Sequence, residues 1–283
     1  MNNASDKTIF FHVGMPKTAS TFLQRNVFPK FDGIHFVKKH DFKHRDRIIP
    51  HSSHDRILLS IELNLDSKGG ISKVKDVAEK YPNTHPIIVL RKHGPWLRSK
   101  YKYYLRKHGD RHFEDYFNLQ DNGYLDTSNL LFFPKIRFLE EQFGKRPLVL
   151  FMEELKENPY GVIDLLANHM GATYAPEQIQ IETVKKSYSA KQLRVVREFN
   201  RAYRYDHSHI QNKTRKFAYK KFGGMLLHSV AYLSLLIPNS LMKSQQLIPP
   251  EKIREVEEAY ENDWQQCIEY ARQERKLLSR KIS

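Results

Sequence analysis

Apolar residues along the first 170 positions switch between two spacings. Ile9–Val13 is a short unbroken run, stopped by Gly14 and Pro16, which predicts a buried strand meeting a turn. Thr18–Phe28 then sets Phe22, Leu23 and Val27 at helical spacing, so strand–loop–helix is the expected unit. Gly33–Val37 (GIHFV) predicts a second strand and Arg56–Leu63 (RILLSIEL) a third, separated by a basic, His-rich loop over His40–His54. Pro86–Arg91 (PIIVLR) and Pro147–Met152 (PLVLFM) have the continuous apolar character of strands buried on both faces. Helices are expected over Ile71–Lys80, over Pro95–Lys107 with Pro95 in its first turn, over Asn129–Phe143 up to Gly144, and over Tyr160–His169 up to Gly171.

Strands alternating with helices predict an α/β fold, a mainly parallel sheet flanked by helices. Beyond about residue 185 the strand pattern stops. Ala190–Tyr203, a Lys/Arg-rich stretch to Phe222, an apolar piece around Leu226–Leu236 and Pro250–Lys276 all read as helical. With no repeat and no linker, the expectation is a single domain over 1–283. Its α/β core covers about 8–185 and a helical C-terminal part about 186–283.

Charge narrows the partners. Against 32 Asp and Glu stand 47 Lys and Arg, a net +15 in 283 residues, which favours nucleic acid, anionic lipid, acidic polysaccharide or a multiply phosphorylated cofactor. Cys267 is the one cysteine, so no intrachain disulfide and no Cys-based metal site can form. His40, His44, His51 and His54 lack the spacing of a helical metal site, and no metal is expected. MNNASDKTIFF lacks the basic and apolar regions of a signal peptide, and GGMLLHSVAYLSLLIP is shorter than the ~20 apolar residues of a membrane span. A soluble, cytoplasmic protein is the expectation. The basic segment ahead of that apolar piece leaves peripheral membrane contact through 211–248 as an alternative to a helix packed on the core.

The loop after the first strand carries the chemistry. In GMPKTASTFLQ, amides at a helix start, Lys17 and the hydroxyls of Thr18, Ser20 and Thr21 make an anion cradle. It is not a Walker A loop: Gly14 precedes Lys17 by three residues and no glycine stands directly before the lysine. A second element follows the strand PIIVL, where Arg91 sits at a carboxyl end and Ser99 eight residues on.

These residues carry a resemblance. PKTASTFLQ resembles the 5′-phosphosulfate loop of sulfotransferases that use 3′-phosphoadenosine 5′-phosphosulfate (PAPS), and Arg91 with Ser99 resembles that family's 3′-phosphate pair. WLRSKYKYY around Ser99, FEDYF at 113–117, GYLD at 123–126 and FGKRPLVLFMEELKENP at 143–159 look like further family blocks. The likeness spans roughly 8–172 and is nearest to bacterial carbohydrate-type enzymes. It implies a P-loop-NTPase-like fold, PAPS as donor and adenosine 3′,5′-bisphosphate as product. Pro16, Lys17, Thr18, Ala19, Ser20 and Thr21 would hold the 5′-phosphate, and Arg91 and Ser99 the 3′-phosphate. The chain departs from the pattern in having Ala19 for a glycine and Met152-Glu153-Glu154 for a Tyr-Glu pair. Lys186, in Lys185-Lys186-Ser187, is the nearest match to a cofactor-gripping C-terminal loop.

Within that family's mechanism Lys17 stabilises the leaving phosphate oxygen, and a His or Glu near the end of the strand before the Arg-bearing one serves as base. Glu62 stands there, with His12 and His35 as rivals. The expected acceptor is a hydroxyl on a glycan, acidic in part, with nucleic acid not expected as a partner. A non-catalytic polyanion binder would explain the charge and the KYKYYLRK interleaving, but not Lys17 together with the Arg91/Ser99 spacing.

Overall fold

The computed structural model describes residues 7–181, 188–203, 211–238 and 246–282. The described residues of 1–96, 128–183 and 257–283 form one compact unit, and those of 97–127 and 184–256 a second.

The first unit is built on five strands: β1 (Thr8–Gly14), β2 (His35–Val37), β3 (Arg56–Glu62), β4 (Thr84–Leu90) and β5 (Leu148–Phe151). All pairings are parallel, in the order β2-β3-β1-β4-β5. The expected mainly parallel α/β sheet is therefore present. Its register matters for function. Gly14, the last residue of β1, lies opposite Glu62, the last of β3, and Val13 lies opposite Ile88 of β4. The chain leaves β1 for one edge, and after β3 crosses to the other side of β1, so the connections diverge at the carboxyl end of β1. Open α/β sheets hold ligands at such points.

Side chains alternate between the two faces. On one, Phe10, Leu58, Val89 and Leu150 are buried with Leu23, Val27, Phe28 and Leu166. On the other, Phe11 meets the rings of Phe42 and Phe143. Burying each such side chain stabilises by roughly 1.5–3 kcal/mol, which is why these runs contain so few polar residues. Flanking helices are α1 (Lys68–Lys80), α2 (His93–Arg106), α3 (Phe133–Phe143), α4 (Met152–Glu157) and α5 (Pro159–Met170), with α6 (Ala190–Ala202), α7 (Lys213–Leu233), α8 (Pro250–Ala259) and α9 (Glu261–Ile282) after the sheet. No strand follows β5 among the described residues.

Three elements differ from expectation. The helix expected over Thr18–Phe28 begins at Ser20, runs as a π turn over Leu23–Val27 and closes in a 3-10 turn at Phe28–Lys30. The helix expected from Asn129 begins at Phe133, because Pro134 belongs in a first turn and lacks the N–H an interior position needs. Asp263 of α9 caps that start, accepting from the amides of Phe132 (2.9 Å) and Phe133 (3.0 Å). The basic stretch and the apolar piece near Leu226 are one helix, α7, running through Gly223 and Gly224.

In the second unit α6 and α7 pack through Val196, Leu227 and Ala231, with Tyr188 against them. The Asn200 amide donates to the carbonyls of Leu105 (2.9 Å) and Gly109 (2.7 Å), and the rings of Tyr101, Tyr104, Tyr116 and Tyr124 cluster nearby.

Candidate functional site

The loop leaving β1 is held from below. Thr18 Oγ1 donates to the carbonyl of Met15 (2.8 Å), and Ser20 Oγ to the same oxygen (3.3 Å), both hydroxyls being buried. Two of the three hydroxyls expected to face an anion thus fold the loop back on itself, while Thr21 stays exposed. Trp96, near the start of α2, donates its indole N–H to the carbonyl of Pro16 (2.9 Å). Phe22 and Leu23 donate to the Ala19 carbonyl, so the amides before them stand ahead of the first helical hydrogen bond, where an anion can use them.

Two residues of this loop carry strained backbone. Lys17 has φ 71° and Ala19 φ 62°, the left-handed region that L residues seldom occupy. At Ala19 the side chain bears a strain that a glycine in the same conformation would not. Gly14 is required for space instead, since a Cβ there would lie 2.5 Å from Ser20 Oγ.

Beneath the loop lies a polar inlay. His12 Nδ1 and Ser60 Oγ are 2.7 Å apart, and Gln24 donates to Ser60 Oγ (3.0 Å). His12 is completely enclosed, its Nε2 has no hydrogen-bond partner, and burial lowers its pKa to about 3. At neutral pH it is an uncharged ring and a weak proton acceptor. His35 pairs with Ile57, near the amino end of β3, so the register sets it at the opposite end of the sheet from the loop. Its Nδ1 lies 2.8 Å from Ser52 Oγ, and its pKa is lowered by burial and by His54. Glu62, exposed at the carboxyl end of β3 and opposite Gly14, is the one of the three that borders the loop with an open carboxylate.

On the other side of β1, Arg91 directly follows β4 and is half-buried. Burial pushes its guanidinium pKa down, the carboxylate of Glu153 works against that shift, and its Nε is buried with no hydrogen-bond partner. Glu153, at the start of α4, accepts from the amide of Lys92 (3.2 Å), and its second oxygen is also buried without a partner. A cation partly withdrawn from water and only partly balanced is a natural anion receptor. Glu154, its neighbour, serves the fold instead: Arg275 of α9 donates to both its oxygens (2.8 and 2.7 Å).

Pro16, Lys17, Thr18, Ala19, Ser20, Thr21, Glu62 and Arg91 thus share the carboxyl end of three adjacent strands, β3, β1 and β4. Ser99 is half-exposed on α2 in the second unit. Lys186 lies outside the described residues. Sequence reasoning misses Trp96 and Glu153, whose partners lie 80 and 61 positions away. The one signal that could mark Glu153 is its place, since it opens the helix after the strand beside Arg91. The second unit has a cavity of about 320 Å³ lined by Arg194, Arg197, Glu114 and Glu251 among others, whose charges offset one another.

No protein-family model and no curated protein matches the chain. Among solved structures it is similar to a sulfotransferase from Alicyclobacillus acidocaldarius, at 15% identity and a TM-score of 0.48, over 63% of this chain and 87% of that one. It is also similar to a mouse sulfotransferase complexed with PAP, at 16% identity and a TM-score of 0.37, over 61% of each chain.

Proposed function

We propose that the protein is a PAPS-dependent sulfotransferase that moves a sulfuryl group to a hydroxyl of a carbohydrate or glycan acceptor. One observation carries the reading: Lys17, in the strained loop that leaves β1, and Arg91, with its buried partnerless Nε directly after β4, follow adjacent parallel strands, and Glu62 ends the strand on the other side. The residues fit a donor with two separate anionic groups. Gly14 keeps the loop backbone close, the amides before Phe22 precede the first helical hydrogen bond and would serve an anion, and Arg91 offers an unfilled guanidinium donor.

PAPS, when bound, supplies a sulfuryl group on a phosphate leaving group. The loop from Pro16 to Thr21 binds the 5′-phosphate through its amides and the Thr21 hydroxyl. Arg91 binds the 3′-phosphate. The ammonium of Lys17 offsets the negative charge that grows on the departing phosphate oxygen, a contribution of about 3–4 kcal/mol for a preorganised donor. Glu62 accepts the proton of the acceptor hydroxyl as its oxygen bonds to sulfur.

The test is transfer of labelled sulfate from PAPS to a panel of glycans and simple alcohols, with Glu62→Gln and His12→Asn in parallel. Loss of turnover in Glu62→Gln with retention in His12→Asn is expected. Unchanged kcat in Glu62→Gln removes that residue from the mechanism. Absence of transfer, together with salt-sensitive binding of polyanions and no affinity for adenosine 3′,5′-bisphosphate, replaces the enzyme with a polyanion binder.

A further inference from the structure

The second unit carries an apolar surface that sulfuryl transfer does not use. Of the fifteen large apolar residues that stand exposed among the described residues, seven fall within 217–236. Phe217 (69% exposed), Phe222 (59%), Met225 (62%) and Leu233 (61%) lie on α7, and Leu236 (80%) on the turn after it. Helical spacing sorts them. Gly223, Leu227 and Ala231, at i, i+4 and i+8, face inward, the last two against Val196 of α6. Phe222, Met225, Ser229 and Leu233, at steps of three and four, make a second stripe that faces water. Exposed apolar residues concentrated on one face of a helix mark a contact surface.

Its charge says what covers it. No Asp or Glu occurs between Asp206 and Glu251, whereas Lys213, Arg215, Lys216, Lys220 and Lys221 crowd the first half of α7, with Arg215 and Lys221 exposed. No helix among the described residues is long and apolar enough to cross a membrane. An apolar stripe flanked by cations, without a single acidic residue, matches a bilayer surface, which offers an apolar layer beneath diffuse negative charge.

We propose that residues 213–236 dock the protein on an anionic lipid surface. Phe222, Met225, Leu233 and Leu236 enter the headgroup–acyl boundary, and Arg215 and Lys221 meet the headgroup phosphates. This is independent of the transferase reading.

The test is co-sedimentation of the full chain with vesicles of phosphatidylcholine alone, or mixed two to one with phosphatidylglycerol. Binding to the mixed vesicles, weak on phosphatidylcholine and reversed by salt, is expected. Arg215→Gln with Lys221→Gln lowers the partition coefficient about 25-fold, since each cation contributes about fivefold at an anionic surface. Phe222→Ser with Leu236→Ser lowers it by about tenfold or more. Both variants alter exposed residues only and keep the wild-type circular dichroism spectrum. The proposal is overturned if the mixed vesicles do not bind the chain, or if both variants bind them as the wild type does. It is equally overturned if sedimentation equilibrium shows a lipid-independent dimer that Phe222→Ser dissociates.

Discussion

The indole N–H of Trp96 donates to the carbonyl oxygen of Pro16 at 2.9 Å, tying the start of α2 to the loop that leaves β1. Trp96 is buried, its ring edge-on to Phe132, so the bond is shielded from water. Trp96→Phe keeps most of the apolar contact and deletes the donor. A stability loss of about 1–2 kcal/mol is expected from the unpaired carbonyl and the smaller ring. The KM for PAPS is expected to rise about tenfold as the loop loosens. Urea denaturation and steady-state kinetics check the two effects separately.

Strain and chemistry separate at Lys17 and Ala19, both in left-handed backbone. Glycine occupies that region without the Cβ penalty. Ala19→Gly is expected to raise stability by about 1 kcal/mol and to leave turnover within about twofold. Lys17→Gly is expected to stabilise in the same direction, yet lower kcat by about 10²–10³. Thermal melts alongside turnover decide the matter: a destabilised Lys17→Gly contradicts the strain account, and an active one contradicts the leaving-group role.

Much of this site is legible in the sequence because its parts are local. A β-strand announces itself by an apolar run, and Gly14, Pro16 and Lys17 follow one directly. Arg91 is readable in the same way, as the first polar residue after PIIVL. Trp96 and Glu153 are not, because a hydrogen bond across 80 or 61 residues leaves no periodic trace. Residue type alone assigns Thr18 and Ser20 to an anion. A hydroxyl satisfies itself equally well on a nearby carbonyl, here that of Met15. The exposed stripe of α7 is hidden for another reason: composition records apolar residues, not which of them find a partner.

Glu153 and Arg91 are expected to respond in opposite directions. Arg91→Lys removes the buried Nε and the planar donor set, and is expected to weaken binding of adenosine 3′,5′-bisphosphate about 10- to 30-fold. Glu153→Gln removes the carboxylate that competes for the guanidinium, while its amide oxygen still accepts from Lys92. Affinity is then expected to rise a few-fold. Isothermal titration calorimetry at fixed salt measures both, and a loss of affinity in Glu153→Gln would show that the carboxylate orients Arg91 rather than competing with its ligand.

His12 gives the fold a pH dependence whose sign follows from burial. Its folded-state pKa, lowered to about 3, lies below the value near 6.5 of an unfolded histidine, so the unfolded chain binds the extra proton first. The stability that neutral His12 contributes is complete above about pH 6.5 and falls away as the pH drops from there towards 3. Each pH unit within that window costs about 1.4 kcal/mol, or about 2 kcal/mol between pH 6.5 and 5. His12→Asn has no such proton to take up, and its amide can still meet the Ser60 hydroxyl. Unfolding free energies from urea titrations at pH 7 and pH 5 are therefore expected to differ by about 2 kcal/mol less in His12→Asn than in the wild type. An equal difference in both proteins would mean that His12 takes up its proton as readily in the folded sheet as in the unfolded chain, and a neutral imidazole of ordinary basicity would return as a rival to Glu62 for the acceptor proton.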